Sequence, residues 1–133
     1  MKLPFFIAAV AAVQGAAGVA LAAAAAHVDA SPLLATASQF LMIHAGAGVG
    51  LAALARSTPR AEANWLAAIA LSLQAGVTIF AGDLAARVFL TAKLFPLAAP
   101  IGGGLTILSW CVLAIWAMFA MFRSNSPRTP RES

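Results

Sequence analysis

The stretch LFPLAAPIGGGLTILSWCVLAIWAMFAMF, Leu94 to Phe122, carries no charged residue and lies between Lys93 and Arg123. About 20 apolar residues are enough for a helix to cross the roughly 30 Å hydrocarbon core of a bilayer, so this run is long enough to span. Inside it lies Ala99-Pro100-Ile101-Gly102-Gly103-Gly104, a poor sequence for a water-exposed helix. In lipid such a segment persists where neighbouring helices cover its backbone. Pro100 is tolerated because a proline in the first turn of a helix gives up an N–H that has no partner there.

Outward from that run, three more apolar segments follow the same design. The four spans are read at about residues 4–26, 34–55, 65–86 and 98–122, with a disordered polar tail over 123–133. Hydrophobic residues make up 62% of the 133, and charged residues only 9%. Too few polar side chains exist to coat a soluble core, whose proteins carry about 25% charge. The composition therefore predicts an all-α, integral membrane four-helix bundle, and the short linkers predict up-down-up-down order.

The net charge of +4 does not point to nucleic acid. No basic face interleaved with aromatics is present, and the basic residues sit at the ends of apolar runs. Lys2, Arg56, Arg60, Arg123, Arg128 and Arg131 fall on one side, and only Arg87 and Lys93 on the other. The positive-inside rule then places both termini in the cytoplasm. A rival reading takes Lys2, the first apolar run and Ala24-Ala25-Ala26 as a cleaved secretory signal. That run is longer than the usual apolar core of about 7 to 15 residues, and Gln14, Gly15 and Gly18 interrupt it.

Helices in lipid associate through close packing and interhelical hydrogen bonds. Gly15, Gly46, Gly50, Pro100, Gly102 and Gly103 are the expected packing positions. Gly46 and Gly50 form a GxxxG pair, read as general close packing with a homodimer face as the alternative. Cys111 is the only cysteine, so no intrachain disulfide can form and the thiol reads as a small buried hydrophobe.

The candidates for chemistry are the polar residues within the spans. At 1.5 Å per residue, Gln14, His44 and Gln74 each lie about 15 Å deep, with Ser109 and Trp110 within a turn or two of that level. These residues form a predicted midplane polar layer. It either fixes the register of the helices or binds a proton, ion or small polar ligand. Near the external surface, Asp83 precedes Arg87 by four residues, the favourable order for a helical ion pair, and His27 ends the first span at that level. An external cluster of His27, Asp83 and Arg87 is expected, with a plain interfacial ion pair as its simpler form. His27 and His44 differ in depth by about 15 Å, poor geometry for two axial ligands on one haem. No nucleophile–base pair, phosphate loop or metal-spaced acid cluster is present. Neither catalysis, nor a cofactor, nor a metal is expected.

Four short motifs resemble one family. Ala24-Ala25-Ala26-His27-Val28 is similar to the G-A-H-x-L signature of the YgdD-like small inner-membrane proteins. Thr36-Ala37, Phe40 and His44 resemble T-A-x-x-Y-x-x-x-H in the same family. Gly76, Phe80 and Gly82-Asp83-Leu84 resemble G-x-x-x-F-S-G-S-L-Y, and Pro100-Ile101-Gly102-Gly103 with Trp110 resemble T-P-I-G-G…G-W. The family, DUF423, also includes transmembrane protein 256, and its molecular function is unknown. The resemblance therefore implies architecture rather than activity, and it implies that the first span is retained. It marks His27, His44, Pro100, Gly102, Gly103 and Trp110 as matching positions. Phe40 and Ala85 stand where the family usually has tyrosine, Asp83 stands where it has serine, and the linker between His27 and His44 is shorter than usual. A polar network shared through those hydroxyls would here be rebuilt around Asp83.

Small size, short loops and the lack of a charged pathway point to an accessory or structural component of a membrane complex. Its expected partners are the lipid bilayer and another membrane protein or further copies of itself. An oligomeric proton-linked or small-solute transporter is the alternative.

Overall fold

A computed structural model describes residues 2–28 and 30–124, with the side chains of residues 123 and 124 left out. The polar tail expected over 123–133 lies, from residue 125 onward, outside the described residues. Four helices account for nearly all of the rest: α1 (Lys2–His27), α2 (Pro32–Ser57), α3 (Arg60–Phe89) and α4 (Ala98–Ser124). All four are long and apolar enough to cross a membrane.

Local chemistry sets their ends. Ser31 caps α2, its hydroxyl accepting from the Leu33 amide at 3.3 Å, and Pro32 occupies the first helical position. There a fixed φ and a missing N–H cost the helix nothing. Pro59 forces the turn between α2 and α3, because the residue before a proline is driven out of the helical region. Thr58 accordingly adopts φ −106°, ψ 149°. Between α3 and α4 the chain turns through Thr91 and Leu97, both in the left-handed region at φ 52° and 67°.

Successive helices pair in opposite order along their lengths. From α1 to α2, Gly18 lies against Ser38 and Gly15 against Ala45, while Ile7 clusters with Leu51, Ala52 and Ala55. From α2 to α3, Ala37 and Leu41 pack on Val77, Ala81 and Leu84, and Leu51 and Ala55 on Leu66 and Ala70. From α3 to α4, Gly76 lies against Gly102 and Thr106, and Gly82 against Leu94. This order gathers Leu3, Phe5, Arg56 and Arg60 around one cavity at one end of the molecule.

α3 is the hub and the most buried helix. Its backbone approaches α2 and α4 along their lengths and crosses α1 over a shorter stretch, whereas α4 approaches only α3. At the α3–α4 crossing, a Cβ on Gly102 would stand 2.5 Å from the Phe80 amide nitrogen and 2.7 Å from the Gly76 carbonyl oxygen. A Cβ on Gly76 would stand 2.8 Å from the Gly102 carbonyl oxygen. Two facing glycines let the backbones approach this closely, which suits association without a hydrophobic driving force.

Gly46 and Gly50 do not pack in this way. Both are exposed, with nothing within 4 Å of where a Cβ would stand. The buried face of α2 runs through Leu41, His44, Ala45, Gly48, Leu51 and Ala55. At about 100° per residue, Gly46 and Gly50 each lie two residues, about half a turn, from Gly48. Gly48 is the packed glycine of α2, since a Cβ there would overlap the Gln74 amide and come within 2.9 Å of the Ala11 methyl.

Candidate functional site

The polar residues of the spans fall into three groups. In the first, Gln14 of α1 reaches α3. Its Nε2 donates to the Gln74 carbonyl oxygen at 2.9 Å and to Thr78 Oγ1 at 2.8 Å. Thr78 in turn donates to the Gln74 carbonyl at 2.8 Å. The Gln74 side chain turns the other way, against Gly48. Gln14 Oε1 and both polar atoms of the Gln74 side chain are buried without a partner among the described residues. Such orphans carry a desolvation penalty of about 1–3 kcal/mol each.

The second group joins α2 to α4. His44 Nδ1 lies 2.7 Å from the Phe40 carbonyl oxygen, and its Nε2 accepts from Trp110 Nε1 at 3.3 Å. A carbonyl can only accept and an indole N–H can only donate. The two partners together select the neutral tautomer with the proton on Nδ1, leaving neither ring nitrogen free. Phe40 stacks on both His44 and Phe80, with ring centroids 4.5 Å apart in each case. Ser109, at the same level, donates to the Leu105 carbonyl of its own helix at 2.8 Å. The predicted midplane layer is thus divided. Gln14 and Gln74 meet, His44 and Trp110 meet, and no hydrogen bond joins the two pairs among the described residues.

The third group lies at the α3–α4 loop. Asp83 is fully buried. Arg87 gives Nε and Nη2 to its Oδ2 at 2.8 and 2.6 Å, and the Leu94 amide donates to Oδ1 at 2.9 Å. The carboxylate thus ties the end of α3 to the loop that leads into α4. His27 is exposed at the end of α1 and has no hydrogen bond or ion pair to either residue. The structure does not bring it into the expected external cluster. Among the described residues, no three His, Cys, Asp or Glu side chains come together.

Three interactions had little sequence signal. Ser38 donates to the Gly18 carbonyl oxygen at 2.8 Å, fastening α1 to α2. Thr78 completes the Gln14 site. Thr106 donates to the Gly102 carbonyl at 2.9 Å within α4, at the glycine crossing. A hydroxyl bonded to a backbone carbonyl leaves no pattern in composition; only the small-residue neighbours, Gly18 and Gly102, hint at close approach.

Beside Gln14 and Thr78, α1 and α3 diverge and leave an apolar groove of about 650 Å³. Ala9, Ala17, Leu21, Ala81, Gly82 and Ala85 line much of it.

No curated protein and no solved structure matches the chain. A family described as a protein of unknown function, DUF423, matches residues 14–103. That stretch runs from Gln14 through α2 and α3 to the glycine crossing of α4, and Trp110 lies beyond its end. With two thirds of its length matched, including Gln14, His44, Gln74, Asp83 and Gly102, this chain belongs to the DUF423 family.

Proposed function

We propose that this protein is embedded in the bacterial inner membrane by its four helices, both termini cytoplasmic, and serves there as an accessory or structural component of a membrane complex. In this reading it performs no catalysis. The observation that carries it is the groove between α1 and α3. Small residues line it together with Gln14, whose Oε1 is buried and lacks a donor among the described residues. Alanines and glycines admit the close approach of another helix, and a polar side chain or exposed N–H on that helix would complete Gln14. The hydrogen bonds of His44 and Asp83 support the same reading, because both groups are used to hold helices and a loop together. The distribution of basic residues supports the orientation, with Arg56 and Arg60 at the end where α1 begins.

Filling the groove tests this. Ala17→Trp occupies it from an exposed position on α1. The variant is expected to keep its helicity and its stability in detergent while losing a membrane protein that co-purifies stoichiometrically with the parent chain. Proton or solute flux in proteoliposomes that disappears with His44→Ala would overturn the proposal in favour of transport.

A further inference from the structure

At the end of the molecule where α1 and α3 begin and α2 ends, the helices enclose a cavity of about 470 Å³. This lies within the roughly 300–1,000 Å³ usual for small-ligand sites. Its character differs from that of the α1–α3 groove. Arg56, Arg60 and Asn64 supply polar donors, and Leu3 and Phe5 of α1 supply an apolar wall.

We propose that this cavity binds the phosphate headgroup of an anionic phospholipid, with the first acyl carbons lying along the wall formed by α1. Charge complementarity commits the site to that occupant. The Arg56 guanidinium carbon lies 4.6 Å from the centroid of the Phe5 ring, and among the described residues its N–H groups make no hydrogen bond. A flat guanidinium presents paired donors that match two phosphate oxygens. Neither Arg56 nor Arg60 has a carboxylate partner among the described residues, and the Asn64 amide makes no hydrogen bond there. Glu62, the nearest acid in the sequence, lines a different pocket with Trp65, Trp116 and Phe119, toward α4. The Thr58 hydroxyl donates to the Leu54 carbonyl, so the arginines and Asn64 are the donors left to an anion. Lys2, next to Leu3, adds a further positive charge at the same end. Basic pockets between helices at the cytoplasmic face suit anionic headgroups, whereas the apolar wall has no use for a free anion.

The proposal rests on the membrane embedding argued above, but it needs no protein partner. The protein is mixed in detergent with phosphatidylglycerol or with phosphatidylcholine of the same acyl chains, and retained lipid is read by native mass spectrometry. Preferential retention of phosphatidylglycerol is expected. Arg56→Gln with Arg60→Gln should cut that preference by about fivefold for each guanidinium removed. Arg56→Lys should retain part of it, and Lys93→Gln, at the opposite end, should leave it whole. Circular dichroism confirms that each variant is folded, and Arg60→Gln alone serves if the double variant is not. Equal retention of the two lipids overturns the proposal. So does an unchanged preference in folded Arg60→Gln and the folded double variant, or displacement of the lipid by inorganic phosphate at equal concentration. Vesicle flotation separates the two readings. Failure to float removes the embedding and this site together, whereas flotation without lipid preference removes this site alone.

Discussion

Arg87 closes on Asp83 from one turn further along α3, and both of its donated bonds go to the same carboxylate oxygen, at 2.8 and 2.6 Å. The other oxygen is thereby left to the Leu94 amide, eleven residues away in the loop. An ion pair placed four residues apart is ordinarily worth a few tenths of a kcal/mol on an exposed helix. Here the carboxylate is fully buried and also holds a loop.

Asp83→Ala is therefore expected to destabilise the fold by more than an exposed helical pair would, because it frees the Leu94 amide as well as Arg87, whose guanidinium is one third exposed and can turn to water. Asp83→Asn should cost less, since its side-chain oxygen can still accept from Leu94. Reversible unfolding in mixed micelles measures both. Hydrogen exchange at Leu94 should quicken in Asp83→Ala before exchange within α3 does. Equal protection of that amide in the parent and the variant would refute the role given to Asp83.

The glycines divide into two sets with opposite outcomes. Gly76→Ala and Gly102→Ala place a methyl against backbone that cannot move aside, and overpacking of this kind costs about 1–3 kcal/mol. Gly46→Ala and Gly50→Ala meet open space and should be neutral, or stabilising by up to about 1 kcal/mol through helix propensity. The same unfolding assay ranks all four.

Trp110→Phe removes the only donor to His44 Nε2 among the described residues. A loss of about 0.6–2 kcal/mol is expected, the range for an interhelical hydrogen bond in a membrane. Nitrogen-15 spectra of the His44 ring report the mechanism directly. The proton should remain on Nδ1, held by the Phe40 carbonyl, while the Nε2 resonance moves.

Gln14 and Gln74 are both buried glutamines with different work to do. Gln14→Met breaks two hydrogen bonds and should destabilise by about 1–3 kcal/mol. Gln74→Met removes two buried polar atoms that have no partner among the described residues, and it keeps the side-chain length. It should be neutral or stabilising, because its backbone carbonyl still receives Gln14 and Thr78.

Depth along the chain is legible in the residues themselves, whereas direction around each helix is not. Counting rise per residue puts Gln14 level with Gln74 and His44 near Trp110, and each of these pairs meets. Which face turns inward needs a strong periodic contrast of apolar and polar residues, and none of the four helices carries one. Alanine and leucine surround them on every side, so Gly46 and Gly50 look as good as Gly48 in sequence yet face the opposite way. His27 shows the same gap, since it reaches the level of Asp83 without bonding to it. The Asp83–Leu94 bond is hidden for another reason. Any residue but proline offers a backbone amide, so the partner of the carboxylate leaves no trace in composition.

The backbone of α4 leans on α3 alone, with the His44–Trp110 bond as its hydrogen-bonded tie to α2. Mechanically this is a rod hung from a single post, with that bond as a guy-line. Its weakest direction is sideways, away from the other three rods. Lateral pressure from the surrounding lipid acts against that swing, so the outermost helix should be the first to peel away when the annulus is stripped.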